Sequence, residues 1–133
     1  MRGEGDPAEG NKQVVAAAVE RLINGGDLQA ADQLYTAELA PDAKAWVAPF
    51  RASFPDVHMT TVTLVADRDT VAGRFRCSGT HLGEWLGHPP TGRRFVDVDE
   101  VYFFTLRGGR IASWWGLEDN ESRLRQLGLS GQA

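Results

Sequence analysis

The stretch RFVDVDEVYFFTLRGGRIASWWGLEDN, residues 94–120, decides the fold. Both halves alternate apolar with polar residues and are rich in β-branched and aromatic side chains, which predicts strands over 94–106 and 110–119. Between them Gly108-Gly109 suits a two-residue loop that needs positive φ, so the segment reads as an antiparallel hairpin.

An uninterrupted ladder from that loop sets the register. One face then carries Leu106 with Ile111, Phe104 with Ser113, Tyr102 with Trp115, Glu100 with Leu117 and Val98 with Asp119. It is the more apolar face and is expected to line the interior. The other carries Thr105 with Ala112, Phe103 with Trp114, Val101 with Gly116 and Asp99 with Glu118. Like charges directly opposite are unfavourable away from solvent, so this face is expected to turn outward. Glu100 and Asp119 become diagonal neighbours, roughly 7 Å apart, among aromatic side chains.

Two carboxylates in an apolar setting raise each other's pKa, and desolvation works in the same direction. Such a group can serve as a general base near neutral pH. Asp119 is also followed by Asn120 and Ser122, and aspartate at a strand-to-helix junction commonly caps the helix. The register leaves cap and catalyst both open.

Upstream, VHMTTVTLVAD (57–67) and TVAGRFRCSGT (70–80) alternate as strands around an Asp67-Arg68-Asp69 turn. HLGEWLGHPPTGR (81–93) has no period and is expected to be a long loop crossing the sheet. Apolar residues at helical spacing predict helices over 11–24, stopped by Gly25-Gly26, and over 27–39, capped by Asp27. A third is predicted over 42–53, with Trp46, Val47, Phe50 and Phe54 on one stripe, either core packing or a pocket wall. Residues 120–127 fit a short terminal helix. Helices followed by a run of antiparallel strands indicate an α+β domain over 11–133, with 1–10 as a disordered leader.

At 133 residues the chain can bury roughly two-thirds of its unfolded surface around one core. The formal charge of −4 and the lack of a basic run argue against a nucleic-acid surface. The single Cys77 offers no internal disulfide and no zinc-ligand spacing. A reducing cytoplasmic location is expected, with no metal. No stretch approaches the ~18 apolar residues of a membrane span.

FPD (54–56), GTHLGEWLGHPPTGRR (79–94), GGRI (108–111), and the Trp115-to-Asp119 spacing followed by LRQLG (124–128) together resemble the SnoaL-like polyketide cyclases, within the nuclear transport factor 2-like superfamily. The resemblance implies a cone-shaped α+β barrel, its N-terminal helices packed in a curved antiparallel sheet around a deep pocket. It further implies cofactor-free intramolecular aldol chemistry on an apolar carbonyl substrate, a polyketide in the cyclases themselves. The base would be an aspartate near the chain end, which Asp119 matches. Isomerases and limonene epoxide hydrolase share the superfamily, and its members are often dimers. The chain departs from the cyclases in the short segment 36–46 and in the glutamate beside the aspartate in WGLED.

Other candidates accompany Asp119 and Glu100. His81 matches the family's GTH and is either an acid or donor, or a loop-packing histidine. Arg74 and Arg76 share a strand face, and one of them is either solvated or paired with an acid inside the cone. In the latter case the site would look like limonene epoxide hydrolase, which uses an aspartate–arginine–aspartate set to activate water. Tyr102 either donates to a developing enolate oxygen or packs on Trp115. Trp46, Phe50, Phe54, Tyr102, Phe104, Trp115 and Leu117 are the expected apolar lining. A non-catalytic small-molecule-binding or dimerisation module is the other class of reading, with Phe103 and Trp114 on an outer face that forms a homodimer.

Overall fold

In the computed structural model, which describes residues 7–129, α1 (Pro7–Ala17) runs without a break into a π-helical segment, Ala18–Asn24. Pro7 at the first helical position and Glu9 in the first turn are helix-start signals, so the helix begins before the apolar pattern does. Of the expected leader 1–10, residues from Pro7 onward are therefore helical, and the first six lie outside the described residues. Val15, Ala18, Val19 and Leu22 form the buried stripe.

The expected helix over 27–39 is broken up. A single 3₁₀ turn (Leu28–Ala30) leads into α2 (Ala31–Leu34), and Tyr35 is extended. A sheet contact overrides the helical period: Tyr35 bridges Ile111 in parallel, and the Thr36 N–H donates to the Ile111 carbonyl at 2.9 Å. Asp27 makes no side-chain cap bond. The third helix, α3 (Ala40–Ser53), starts two residues earlier than expected, with Pro41 in its first turn and Pro49 inside it.

The sheet has the order β1-β2-β3-β4, all antiparallel: β1 (His58–Asp67), β2 (Thr70–Thr80), β3 (Arg94–Arg107) and β4 (Arg110–Glu118). Each strand pair contains one register slip, at Val62 in β1, near Asp97 in β3 and at Ala112 in β4. An extra residue on one strand bends it and increases the local twist. Three such slips curve the sheet around the helices, giving the α+β cone. The main core lies between α1, its π-helical extension, α2, α3 and the concave face. A second cluster of Phe54, Val57, Cys77, Trp85, Phe95, Val98 and Leu127 lies under the 81–93 loop and α4 (Asn120–Gln126). Asp56 of the FPD motif ties this end together. It accepts from the Thr80 N–H and hydroxyl at 2.7 Å each and from Arg94 at 3.0 Å.

The hairpin turn is as read, with Gly108 at φ 60° and Gly109 at φ 76°. Arg107 pairs with Arg110 and Leu106 with Ile111, but the slip at Ala112 moves every later pair by one. Phe104 now faces Trp114, Tyr102 faces Gly116, and Glu100 faces Glu118. The uninterrupted register is thus corrected. Trp114, Gly116 and Glu118 turn inward, whereas Trp115 and Leu117 are exposed on the outer face. The slip sits where the Ile111 carbonyl is drawn off to Thr36, a contact from a segment 75 residues away. Gly116 is required by close approach, since a Cβ there would lie 2.1 Å from the Tyr102 ring. Among the described residues no helix is long and apolar enough to cross a membrane.

Candidate active site

Three elements bring polar groups together at one end of the cone. β3 turns Glu100 and Tyr102 inward, β4 ends at Glu118, and α4 presents Asn120 and Arg123 on its inner side. Positions 120, 123, 124 and 127 share one helical face, so Arg123 is buried alongside Leu127 with Leu124 packed nearby. Its guanidinium is wholly enclosed, with Cζ 4.7 Å from the Phe95 ring centroid, 5.4 Å from Phe50 and 5.9 Å from Trp85. Aromatic faces attract such a cation and partly replace its lost water.

Arg123 joins two acids. One terminal nitrogen donates to Glu100 Oε2 at 2.5 Å, and the other donates to Glu118 Oε1 at 3.1 Å and also to Asn120. Tyr102 Oη donates to Glu100 Oε1 at 2.8 Å, so both oxygens of that carboxylate are engaged. Burial, and then the charge of Glu118, push the Glu100 carboxyl above the usual range, against the pull of Arg123 and Tyr102. Burial alone would pull the Arg123 pKa down. The carboxylates of Glu100 first and Glu118 second outweigh it, and the guanidinium stays charged. Burial first, and the neighbouring acids second, push the Tyr102 phenol up and keep it a neutral donor. The Cys77 thiol is likewise pushed up to about 12 by burial first, which leaves it unreactive.

Of the two acids in this network, Glu118 is the one that reaches solvent. Its side chain is 23% exposed, against 1% for Glu100 and none for Arg123. It opens onto a groove of about 680 Å³ between α3, the 81–93 loop and the start of α4, walled by Trp46, Phe50, Trp85 and Leu86. The loop is pinned to α3 there, since Leu82 and Gly83 N–H donate to the Ser53 carbonyl at 3.0 Å and Ser53 Oγ donates to the Glu84 carbonyl at 2.5 Å. Inside the cone, between helices and sheet, the apolar cavity is only about 30 Å³. That is room for about one water.

The expected site residues divide accordingly. Glu100 and Tyr102 are brought together, Trp46 and Phe50 line the groove, and Phe104 lines the inner cavity. Phe54 is fully buried in the second core cluster, packed between Phe50, His81, Trp85 and Phe95. Trp115 and Leu117 are on the convex side because of the slip at Ala112. Arg74 is also outside, paired with Asp99 at 3.1 Å beside Arg76, since β2 alternation puts Phe75 and Cys77 inward. Asp119 does not face Glu100. It is exposed and caps α4, its Oδ1 accepting the Ser122 N–H at 3.0 Å. His81 is buried under the loop, its Nδ1 accepting the Thr91 N–H at 3.1 Å. Its remaining proton therefore sits on Nε2, which has no hydrogen-bond partner among the described residues. Sequence reasoning missed Glu118 and Arg123. The signal for Arg123 was its place on the apolar face of the terminal helix. Among the described residues no group of three or more His, Cys, Asp or Glu side chains could hold a metal ion.

Comparison with known proteins agrees with this architecture. The sequence profile of the SnoaL-like polyketide cyclases matches residues 13–127. TsrD from Streptomyces laurentii is similar at 25% identity, covering 91% of this chain and 96% of its own, with a TM-score of 0.84. IdmH from Streptomyces antibioticus, a candidate polyketide cyclase, is similar at 28% identity, covering 89% and 98%, with a TM-score of 0.74. AclR from Streptomyces galilaeus, a candidate hydroxylase, shares the fold at 22% identity, covering 95% and 85%, with a TM-score of 0.82. No curated protein is matched significantly in sequence.

Proposed function

The chain belongs to the SnoaL-like polyketide cyclase family, and on that premise we propose that it is a cofactor-independent acid/base enzyme acting on an apolar, carbonyl-bearing substrate held in the groove, with Glu118 as the base. One observation carries the choice: Glu118 both lines the groove and is held by the buried Arg123. In intramolecular aldol closure its carboxylate takes a proton from the carbon beside a carbonyl. The enolate carbon attacks a second carbonyl of the same molecule, and the resulting alkoxide takes the proton back. Arg123 fixes the carboxylate, and Glu100 with Tyr102 fixes Arg123. Trp46, Phe50 and Trp85 supply the apolar walls.

The test is exchange of substrate protons for deuterium, followed by NMR on an aryl β-keto ester in heavy water. Glu118→Gln is expected to lose about 10²–10⁴-fold, the range of general-base catalysis. Asp119→Asn is expected to retain the rate. The reverse pattern would return the role to Asp119, with the helix cap as a state from which it is released.

A second reading is epoxide opening. Glu100–Arg123–Glu118 is a carboxylate–arginine–carboxylate set of the kind that limonene epoxide hydrolase uses to activate water. Hydrolysis of styrene oxide in ¹⁸O water, lost in Glu118→Gln, would favour it over aldol chemistry.

The partner we propose is a second copy of the chain. Val101, Phe103, Trp115 and Leu117 are 37%, 48%, 57% and 65% exposed on one contiguous convex patch, and Phe103 and Trp115 stand 6.0 Å apart. An apolar patch of this kind on a soluble protein marks a contact surface. The patch is not the Phe103–Trp114 pair expected from the uninterrupted register, since Trp114 packs inward on Tyr35. A cytoplasmic location accompanies this reading, the buried Cys77 needing no oxidising surroundings.

A further inference from the structure

Three separate spaces meet at one side chain. Trp46 lines the open groove, the inner cavity of about 30 Å³, and a second void of about 10 Å³ at whose edge Glu100 stands. Its indole is half-buried, stacked on Phe50 at 6.1 Å and edge-on to Tyr102 at 6.5 Å. As they stand, the two inner voids are too small for anything larger than a water. With the indole swung toward the groove they would become one space, mostly apolar, with Glu100 and Arg51 at the edge of the smaller void and Tyr35 and Tyr102 in the wall of the larger.

The backbone beneath Trp46 is weakened in a way that suits such a movement. Pro49 has no N–H to donate to the Ala45 carbonyl, so the turn of α3 that carries Trp46 lacks one helical hydrogen bond. Ala45 and Pro49 both line the groove, so the weakened turn borders it. Helices bend most readily at such a turn.

We propose that Trp46 is a gate: its displacement joins the groove to the two interior voids, and the combined pocket takes the apolar end of a substrate whose reacting carbonyl stays at Glu118. The inner chamber, lined by Val19, Met59, Phe75 and Phe104, accepts a planar hydrocarbon portion. Trp46 then sets how long a substrate can be. The inference rests on the groove being the substrate site, but its test does not depend on catalysis.

The probe is N-phenyl-1-naphthylamine, a neutral aromatic that fluoresces in apolar surroundings and does not react. Titration of wild type, Trp46→Ala and Trp46→Phe is expected to give binding at least ten-fold tighter in Trp46→Ala, with Trp46→Phe between. Adding Ala43→Met, which fills the inner cavity, should cancel the gain. In stopped-flow mixing the wild-type rate should level off with probe concentration at the rate of opening, and the limit should rise in Trp46→Phe. Trp46→Phe carries the comparison if the alanine variant does not fold. Equal affinities in the three proteins, a gain that survives Ala43→Met, a wild type that binds no probe, or a rate that rises linearly would each overturn the gate. The exchange assay on Glu118→Gln is read independently, so failure of the catalytic reading and failure of the gate are distinct results.

Discussion

Replacing Arg123 with methionine tests the buried network most directly. Methionine keeps an apolar stem against Phe95, Phe50 and Trp85 but removes both donors, leaving Glu100 with the Tyr102 hydroxyl alone. Breaking a buried ion pair by deleting one partner costs about 3–5 kcal/mol. An independent route gives a similar size. If the isolated Glu100 takes up a proton rather than stay charged, then at pH 7 the cost is about 2.7 pH units above an unfolded pKa of about 4.3, or about 3.7 kcal/mol. In the variant the folded-state pKa of Glu100 lies above the unfolded one, so the folded form binds the extra proton. The penalty is therefore absent below the unfolded pKa and grows as pH rises, by about 1.4 kcal/mol per unit. Wild type carries a weaker version of the same slope, since Glu100 is already raised. Urea unfolding at pH 5, 6 and 7 is the assay, with the denaturant slope checked for two-state behaviour. Arg123→Met/Glu100→Leu should recover most of the loss, because an apolar pair of similar volume replaces the ion pair. A loss below about 1 kcal/mol at pH 7, or one equal at pH 5 and 7, would refute the claim that an uncompensated Glu100 charge is what Arg123 neutralises.

Two further outcomes follow from the corrected hairpin. Gly116→Ala places a Cβ 2.1 Å from Tyr102 Cδ1 and 2.9 Å from the Val101 carbonyl, so the ring must shift and loosen its bond to Glu100; a loss of about 1–3 kcal/mol is expected in thermal melts, and an unchanged melting point would contradict the close approach. On the convex face, Phe103→Ser with Trp115→Ser should convert a sedimenting dimer into monomer, each anchor being worth about 2 kcal/mol or more. A wild type that sediments as a monomer would remove the proposed interface.

Much of the fold was legible because local signals agreed with one another. Gly108-Gly109 allows the tight turn its positive φ values require, and alternation along β3 placed Glu100, Tyr102, Phe104 and Leu106 on one face, where they are found. The aromatic stripe of α3 was also correctly placed, although its outer members wall a groove and Phe54 is core. What failed were the positions decided by distant chain segments. The helix expected over 27–39 stops at Leu34 because Tyr35 and Thr36 pair with Ile111, and helical spacing carries no trace of that contact. Arg74 looked equally suited to either side of the sheet until the inward positions of β2 were taken by Val71, Gly73, Phe75 and Cys77.

The site turns on a question of parity. Along a strand the side of each residue is fixed by counting from the turn, and one inserted residue exchanges the two faces for everything beyond it. Ala112 is that residue in β4, and nothing in IASWWG marks it, since small and aromatic residues stand on both sides. WGLED is nevertheless built so that one carboxylate lies inward whichever count holds. An uninterrupted ladder would have put Asp119 beside Glu100. With the slip, Glu118 takes the inward place, and Asp119, one residue on, is free to accept the Ser122 N–H and start α4. That cap begins the helix one residue past the strand and brings Arg123 between Glu118 and Glu100. The two adjacent acids therefore have separate tasks: the outer one positions the arginine by starting its helix, and the inner one is held by that arginine at the wall of the groove.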